Sequence, residues 1–128
     1  RRAGEPAYQL AVVVDDADEG ITDVVRGADL LASTPRQIYL QRQLGLGTPR
    51  YLHLPAAMNA AGEKLSKQTR AAAVDARDPV PALAQVVQFL GQAPPEPLRR
   101  ANLAEFWDWA VSNWKVERIP RRRSLPAF

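Results

Sequence analysis

The chain has no cysteine, one histidine (His53) and one methionine among its 128 residues. Without thiols it can form neither a disulfide framework nor a thiolate metal site. A single imidazole leaves too few ligands for a zinc centre inside the chain. One histidine, read in a strand, also gives no serine–histidine–aspartate arrangement to pursue. No apolar run approaches the about 18 residues of a membrane-spanning helix. No export signal is read near Arg1, so a cytoplasmic location is expected. Two nucleotide motifs are excluded by spacing: Gly45-Leu46-Gly47 is too short for a dinucleotide fingerprint. Gly62-Glu63-Lys64 lacks the earlier glycine and the following Ser or Thr of a P-loop.

What is present is ordinary in amount and uneven in placement. The apolar fraction of 46% and charged fraction of 24% suit a soluble globular chain, with one domain or two small units. The net charge of +3 conceals two opposed segments. Residues 15–29 hold Asp15, Asp16, Asp18, Glu19, Asp23 and Asp29 against Arg26 alone. The last fifteen residues hold Lys115, Arg118, Arg121, Arg122 and Arg123 against Glu117. Such a tail fits a polyanion such as RNA, and equally fits a solvated terminus.

Tyr8 to Val14 is a continuous apolar run bounded by Pro6 and Asp15-Asp16, and it predicts a strand buried on both faces. Asp15 and Asp16 would then cap the turn before Gly20. Thr22 to Arg26 predicts a second extended piece. Ser33 or Thr34 before Pro35 starts a helix through Ile38, Leu40 and Leu44, stopped by Gly45. Tyr51 to Leu54, before Pro55, predicts another strand, completing a strand–helix–strand unit of a doubly wound α/β sheet. Beyond residue 70 the pattern is helical. Leu83, Val86, Val87 and Leu90 mark one helix, ended by Gly91 and Pro94-Pro95-Pro97. Leu103, Phe106, Trp107, Ala110 and Trp114 mark a second. Trp107 and Trp114 are expected in the core and Trp109 at the surface. The expected division is 1–70 and 71–128.

Three places invite chemistry. Lys64-Leu65-Ser66-Lys67-Gln68 follows a turn opened by Asn59 and Gly62. Two lysines flanking a serine there suit either a polyphosphate or plain solvent. Arg26 sits between a strand and Gly27, where its side chain is either presented at the sheet edge or paired with neighbouring acids. His53 is expected to be buried or half-buried, with a backbone partner.

In order and spacing, Ala7–Asp16, Val25-Arg26-Gly27-Ala28-Asp29, Ser33-Thr34-Pro35-Arg36-Gln37 and the KLSKQ loop resemble the class I glutamyl-tRNA synthetase catalytic domain. The resemblance covers Arg1 to about Lys67 and weakens over 70–128. It implies a Rossmann-like fold, followed by a small helical region that contacts the tRNA stem. It implies that Tyr8 contacts bound glutamate and that Arg26 pairs with the glutamate side-chain carboxylate. It further implies that Lys64, Ser66 and Lys67 belong to the "KMSKS" loop, which closes over ATP and its Mg2+. Gln68 departs from the family's Ser or Arg. Ala28-Asp29-Leu30, where discriminating members tend to have Glu-His, and the early ending after Trp114 resemble the short glutamyl-Q tRNA(Asp) synthetase branch. The implied activity is ATP-dependent activation of L-glutamate, then transfer to the queuosine base of the tRNA(Asp) anticodon. The family's "HIGH" motif and Cys-rich zinc site have no counterpart here. The chain is therefore expected to be a C-terminal portion with half an active site, inactive alone, with zinc only in the other half. A fragment of an ordinary glutamyl-tRNA synthetase and a non-catalytic tRNA-binding paralogue are the alternatives.

Overall fold

The computed structural model describes residues 7–66 and 75–127. Lys67 and Gln68 of the lysine loop, and the expected boundary near residue 70, lie outside the described residues. Chain contacts separate two compact units, Arg1–His53 and Leu54–Phe128.

Among the described residues the first unit opens on a helix, not the strand that its apolar run suggested. Helix α1 spans Tyr8–Asp18, with Val13 buried and Tyr8 and Leu10 exposed. A short apolar run does not by itself distinguish a buried strand from a helix, and tertiary contacts override β-branched propensity. Here Gln9 and Val13, four residues apart, lie on one helical face. Gln9 Nε2 donates to Ser33 Oγ at 3.0 Å, and Gln37 Nε2 donates to Gln9 Oε1 at 2.8 Å. These bonds tie the start of α1 to the start of α2 (Thr34–Gln43). Asp15 and Asp16 are consequently helical residues and cap nothing through a strand end. Gly20 supplies the stop. Its φ of +68° lets Ile21 N–H reach the Asp16 carbonyl at 2.8 Å and Gly20 N–H the Ala17 carbonyl at 3.1 Å, a Schellman ending.

The remaining elements of this unit follow the expected order. Strand β1 (Asp23–Gly27) leads through a 3-10 turn, Ala28–Ser33, into α2. Pro35 lies in the first turn of α2, although Ser33 makes no side-chain cap. Strand β2 (Arg50–Leu54) returns beside β1 in a two-stranded sheet. Asp23, at the start of β1, pairs with Arg50 at 2.7 Å.

In the second unit β3 (Ala56–Met58) leads into a tight turn. Asn59 N–H donates to the Glu63 carbonyl at 2.8 Å, and Glu63 N–H donates to Asn59 Oδ1 at 2.8 Å. Helices α3 (Val80–Phe89) and α4 (Leu103–Asn113) then enclose a core of Val80, Ala84, Val87, Leu98, Phe106 and Ala110. An Asn102–Glu105 capping box opens α4, satisfying two of its first N–H groups. The tryptophan assignment is reversed. Trp109 packs against the core, whereas Trp107 is 47% and Trp114 38% exposed. Phe106 and Ala110 fill the centre of that stripe, leaving Trp107 and Trp114 outside.

The basic tail is built into this unit. Ser124–Pro126 form β4, parallel to β3, and the Arg123 carbonyl accepts from Ala56 N–H at 3.0 Å. Buried Gln92 joins the ends of both helices. Its Nε2 donates to the Leu90 and Lys115 carbonyls, and its Oε1 accepts from Lys115 N–H at 2.8 Å.

Candidate functional site

Arg26 is the penultimate residue of β1, half-buried, with its guanidinium among β1, α2 and β2. Its Nη2 donates to Thr34 Oγ1 at 2.8 Å, and its Nε points to His53 Nε2 at 3.4 Å. Thr34 Oγ1 and His53 Nε2 are 3.0 Å apart. The guanidinium carbon lies 5.1 Å from the centre of the Tyr51 ring, within cation–π range. Tyr51 is stacked near-parallel with His53, and its hydroxyl accepts from the buried Gln41 Nε2 at 2.9 Å. Arg26 thus hydrogen-bonds neutral side chains, although six acids precede or follow it closely. One of those acids, Asp23, is held by Arg50.

His53 is half-buried as expected, but its polar contacts are the side chains of Arg26 and Thr34, not backbone. Burial, and then the Arg26 charge, hold its imidazole below the usual histidine range. It is therefore neutral at pH 7, as an acceptor beside a guanidinium must be. Thr34, Tyr51 and Gln41 escaped the sequence reading as site residues. Their one local signal was that Thr34 opens α2 just after the Arg26 turn.

Tyr8 opens α1 and is 61% exposed. Its neighbour Gln9 bonds Ser33, the residue before Thr34, so one network links the Tyr8 and Arg26 segments. The lysine loop belongs to the second unit. Lys64 bridges to Met58 in antiparallel fashion and its side chain is exposed, while Leu65 N–H donates to the Ala57 carbonyl at 2.8 Å. Gly62, at φ +78°, lets this turn close. Ser66 is half-buried. Among the described residues no cluster of three metal-ligating side chains occurs, so these residues do not fit a zinc site. No helix among them is long and apolar enough to cross a membrane.

The family described as class I tRNA synthetases (E and Q), catalytic domain, matches residues 1–95. The chain belongs to that family. Curated relatives named glutamyl-Q tRNA(Asp) synthetase include proteins from Aromatoleum aromaticum, 60% identical over 99% of the chain, and Dechloromonas aromatica, 58% identical over 95%. The Chromobacterium violaceum relative is 54% identical over 94%. The chain spans about 40% of the length of these relatives. Among solved structures, a glutamate tRNA ligase from Elizabethkingia meningosepticum, in complex with its amino acid, matches with a TM-score of 0.67. Its identity is 21%, over 95% of this chain and 28% of that one. That likeness places the fold among class I synthetase α/β domains.

Proposed function

We propose that this chain is the C-terminal portion of a glutamyl-Q tRNA(Asp) synthetase, with 1–70 completing the catalytic domain and 71–128 a helical extension. The enzyme activates L-glutamate with ATP and transfers it to the queuosine base of the tRNA(Asp) anticodon. The observation that carries the reading is the Arg26 guanidinium, braced by neutral Thr34 and His53 above the Tyr51 ring. Its charge is not spent on a carboxylate in those contacts. A guanidinium fork matches a carboxylate in two hydrogen bonds, whereas glutamine's amide would leave a donor facing a donor. Tyr8 contacts the same amino acid. The high identity to relatives bearing that name supports the choice of acceptor.

In the reaction the glutamate α-carboxylate oxygen attacks the α-phosphorus of ATP. The bond from that phosphorus to the bridging oxygen breaks, and pyrophosphate leaves with its electron pair. Lys64, Ser66 and Lys67, in the KLSKQ loop, stabilise charge on the phosphates, and Mg2+ enters only with ATP. A nucleophilic group of the modified base then attacks the acyl carbon of glutamyl-adenylate, the acyl–oxygen bond to phosphate breaks, and AMP leaves with its electron pair. Full-length enzyme should catalyse glutamate-dependent ATP–pyrophosphate exchange and charge tRNA(Asp) that carries queuosine. Equal transfer to tRNA(Asp) without queuosine, or charging of the 3′ end of tRNA(Glu), would favour an ordinary glutamyl-tRNA synthetase.

A further inference from the structure

Donor accounting around Arg26 fixes more than its location. A guanidinium can only donate hydrogen bonds. Thr34 Oγ1 accepts from Arg26 Nη2 at 2.8 Å, and its own single proton is then free to point at His53 Nε2, 3.0 Å away. Arg26 Nε–H aims at the same nitrogen, at a longer 3.4 Å. Arg26 Nε–H can only donate, so the geometry points to an unprotonated Nε2 that accepts from both neighbours, with the imidazole proton on Nδ1. Burial and the nearby guanidinium favour the neutral ring that this arrangement requires.

The consequence concerns the two faces of the fork. Thr34 and His53 occupy the side-on edge, made of Nε and one Nη2 hydrogen. What remains is the end-on pair, Nη1 and the outer Nη2 hydrogen. The ring of Tyr51, anchored through Gln41, limits rotation out of that plane. We propose that Thr34 and His53 are positioning residues that turn the end-on fork of Arg26 toward the ligand, and thereby set selectivity for a side-chain carboxylate over a carboxamide. This rests on the reading of Arg26 as the carboxylate reader. A loose guanidinium can still attract charge. Discriminating two acceptor oxygens from an oxygen plus an NH2 group needs both N–H bonds fixed in direction.

The test uses full-length enzyme in glutamate-dependent ATP–pyrophosphate exchange, with glutamine as competing substrate. Thr34→Val and His53→Phe keep the shape and remove the polar atoms. Each should raise KM for glutamate roughly tenfold, lower the glutamate-to-glutamine kcat/KM ratio, and leave KM for ATP within about twofold. Thr34→Ser and His53→Gln restore a hydroxyl and an acceptor in the same places, and should recover most of the loss. Unchanged glutamate KM and selectivity in Thr34→Val and His53→Phe, with glutamate use lost in Arg26→Ala, would overturn the proposal and spare the proposed function. A parallel rise in KM for ATP and glutamate would also overturn it, since that marks a merely structural role. Absence of glutamate-dependent exchange in the wild type would instead remove the proposed function itself. Should the two apolar variants fail to fold, long-range 15N–1H spectra of the wild type, with the His53 signals assigned from His53→Gln, carry the test. A proton on Nδ1 supports the proposal, and a proton on Nε2 overturns it.

Discussion

A guanidinium that hydrogen-bonds hydroxyl and imidazole groups keeps its full charge for whatever approaches next. Arg26→Ala should therefore weaken glutamate use by about 1.5–3 kcal/mol while ATP affinity holds nearly constant, measured as separate KM values in pyrophosphate exchange. Tyr8→Phe should act in the same direction and less, because it removes one neutral hydroxyl. Simultaneous loss of ATP and glutamate binding in Arg26→Ala would mean that the arginine maintains the fold. The neighbouring histidine gives a pH signature. Burial and Arg26 lower its pKa in the folded chain, whereas the unfolded chain protonates at about 6.5. Below that value the unfolded state binds the additional proton first. The contribution of His53 to stability is therefore complete above about pH 6.5 and is lost as pH falls toward the folded value. Denaturant midpoints between pH 5 and 8 should fall on acidification and flatten in His53→Gln; an identical slope in that variant would discount the effect. Arg26 was singled out by its turn and its resemblance, and the structure shows it half-buried near the end of β1. His53 was visible, but its partners were not: Arg26 lies 27 residues away and Thr34 19, and no local pattern records such a meeting.

At the scale of elements, the punctuation was easier to read than the identity. Gly45 was read as a helix stop, and it stands at φ +68° directly after α2. Gly20 carried the same signal for α1. It went unread because a seven-residue β-branched run looked like a buried strand. In the helix, Gln9 accepts from Gln37 within α2 and is bonded by its own amide to Ser33 at the N-cap of α2, contacts that the sequence pattern does not record. Trp107 and Trp109 were misassigned for a related reason. Periodicity gives the apolar stripe, but the partner helix decides which edge of it is covered. Helix-ending glycines also offer a comparison. Gly45→Ala meets no atom within 4 Å, so only the left-handed backbone opposes it, at about 1–2 kcal/mol. Gly91, at φ +79°, closes α3 with the Arg118 carbonyl against the position a Cβ would take. Backbone cannot swing aside as a side chain can. Gly91→Ala should destabilise clearly more than Gly45→Ala in chemical denaturation followed unit by unit, and equal losses would show that Arg118 yields freely.

For the molecule as a whole, the sequence predicted an α/β first half and a helical second half, and it left open whether the basic end was structured. It is. The backbone of Arg123 bonds to β3, β4 runs parallel to β3, and the side chains of Arg121, Arg122 and Arg123 are exposed on that frame. Parallel pairing of segments almost 70 residues apart, Ala56 with Ser124, has no local signature and could not be read in advance. Exposed cations held by a fixed backbone can supply phosphate contacts, which position an RNA without conveying sequence. On the proposed function, recognition of the acceptor would then fall to a pocket for the modified base near the activated glutamate. Neutralising Arg121, Arg122 and Arg123 together should therefore weaken tRNA binding evenly across tRNAs and reduce the slope of log affinity against log salt by up to about 3. The preference for tRNA(Asp) with queuosine over the same tRNA without it should persist. Glutamate transfer to both tRNAs over a salt series, with intact and neutralised enzyme, measures both quantities at once. An unchanged salt slope would make these arginines a solvated surface. A lost queuosine preference would mean that they read the acceptor after all.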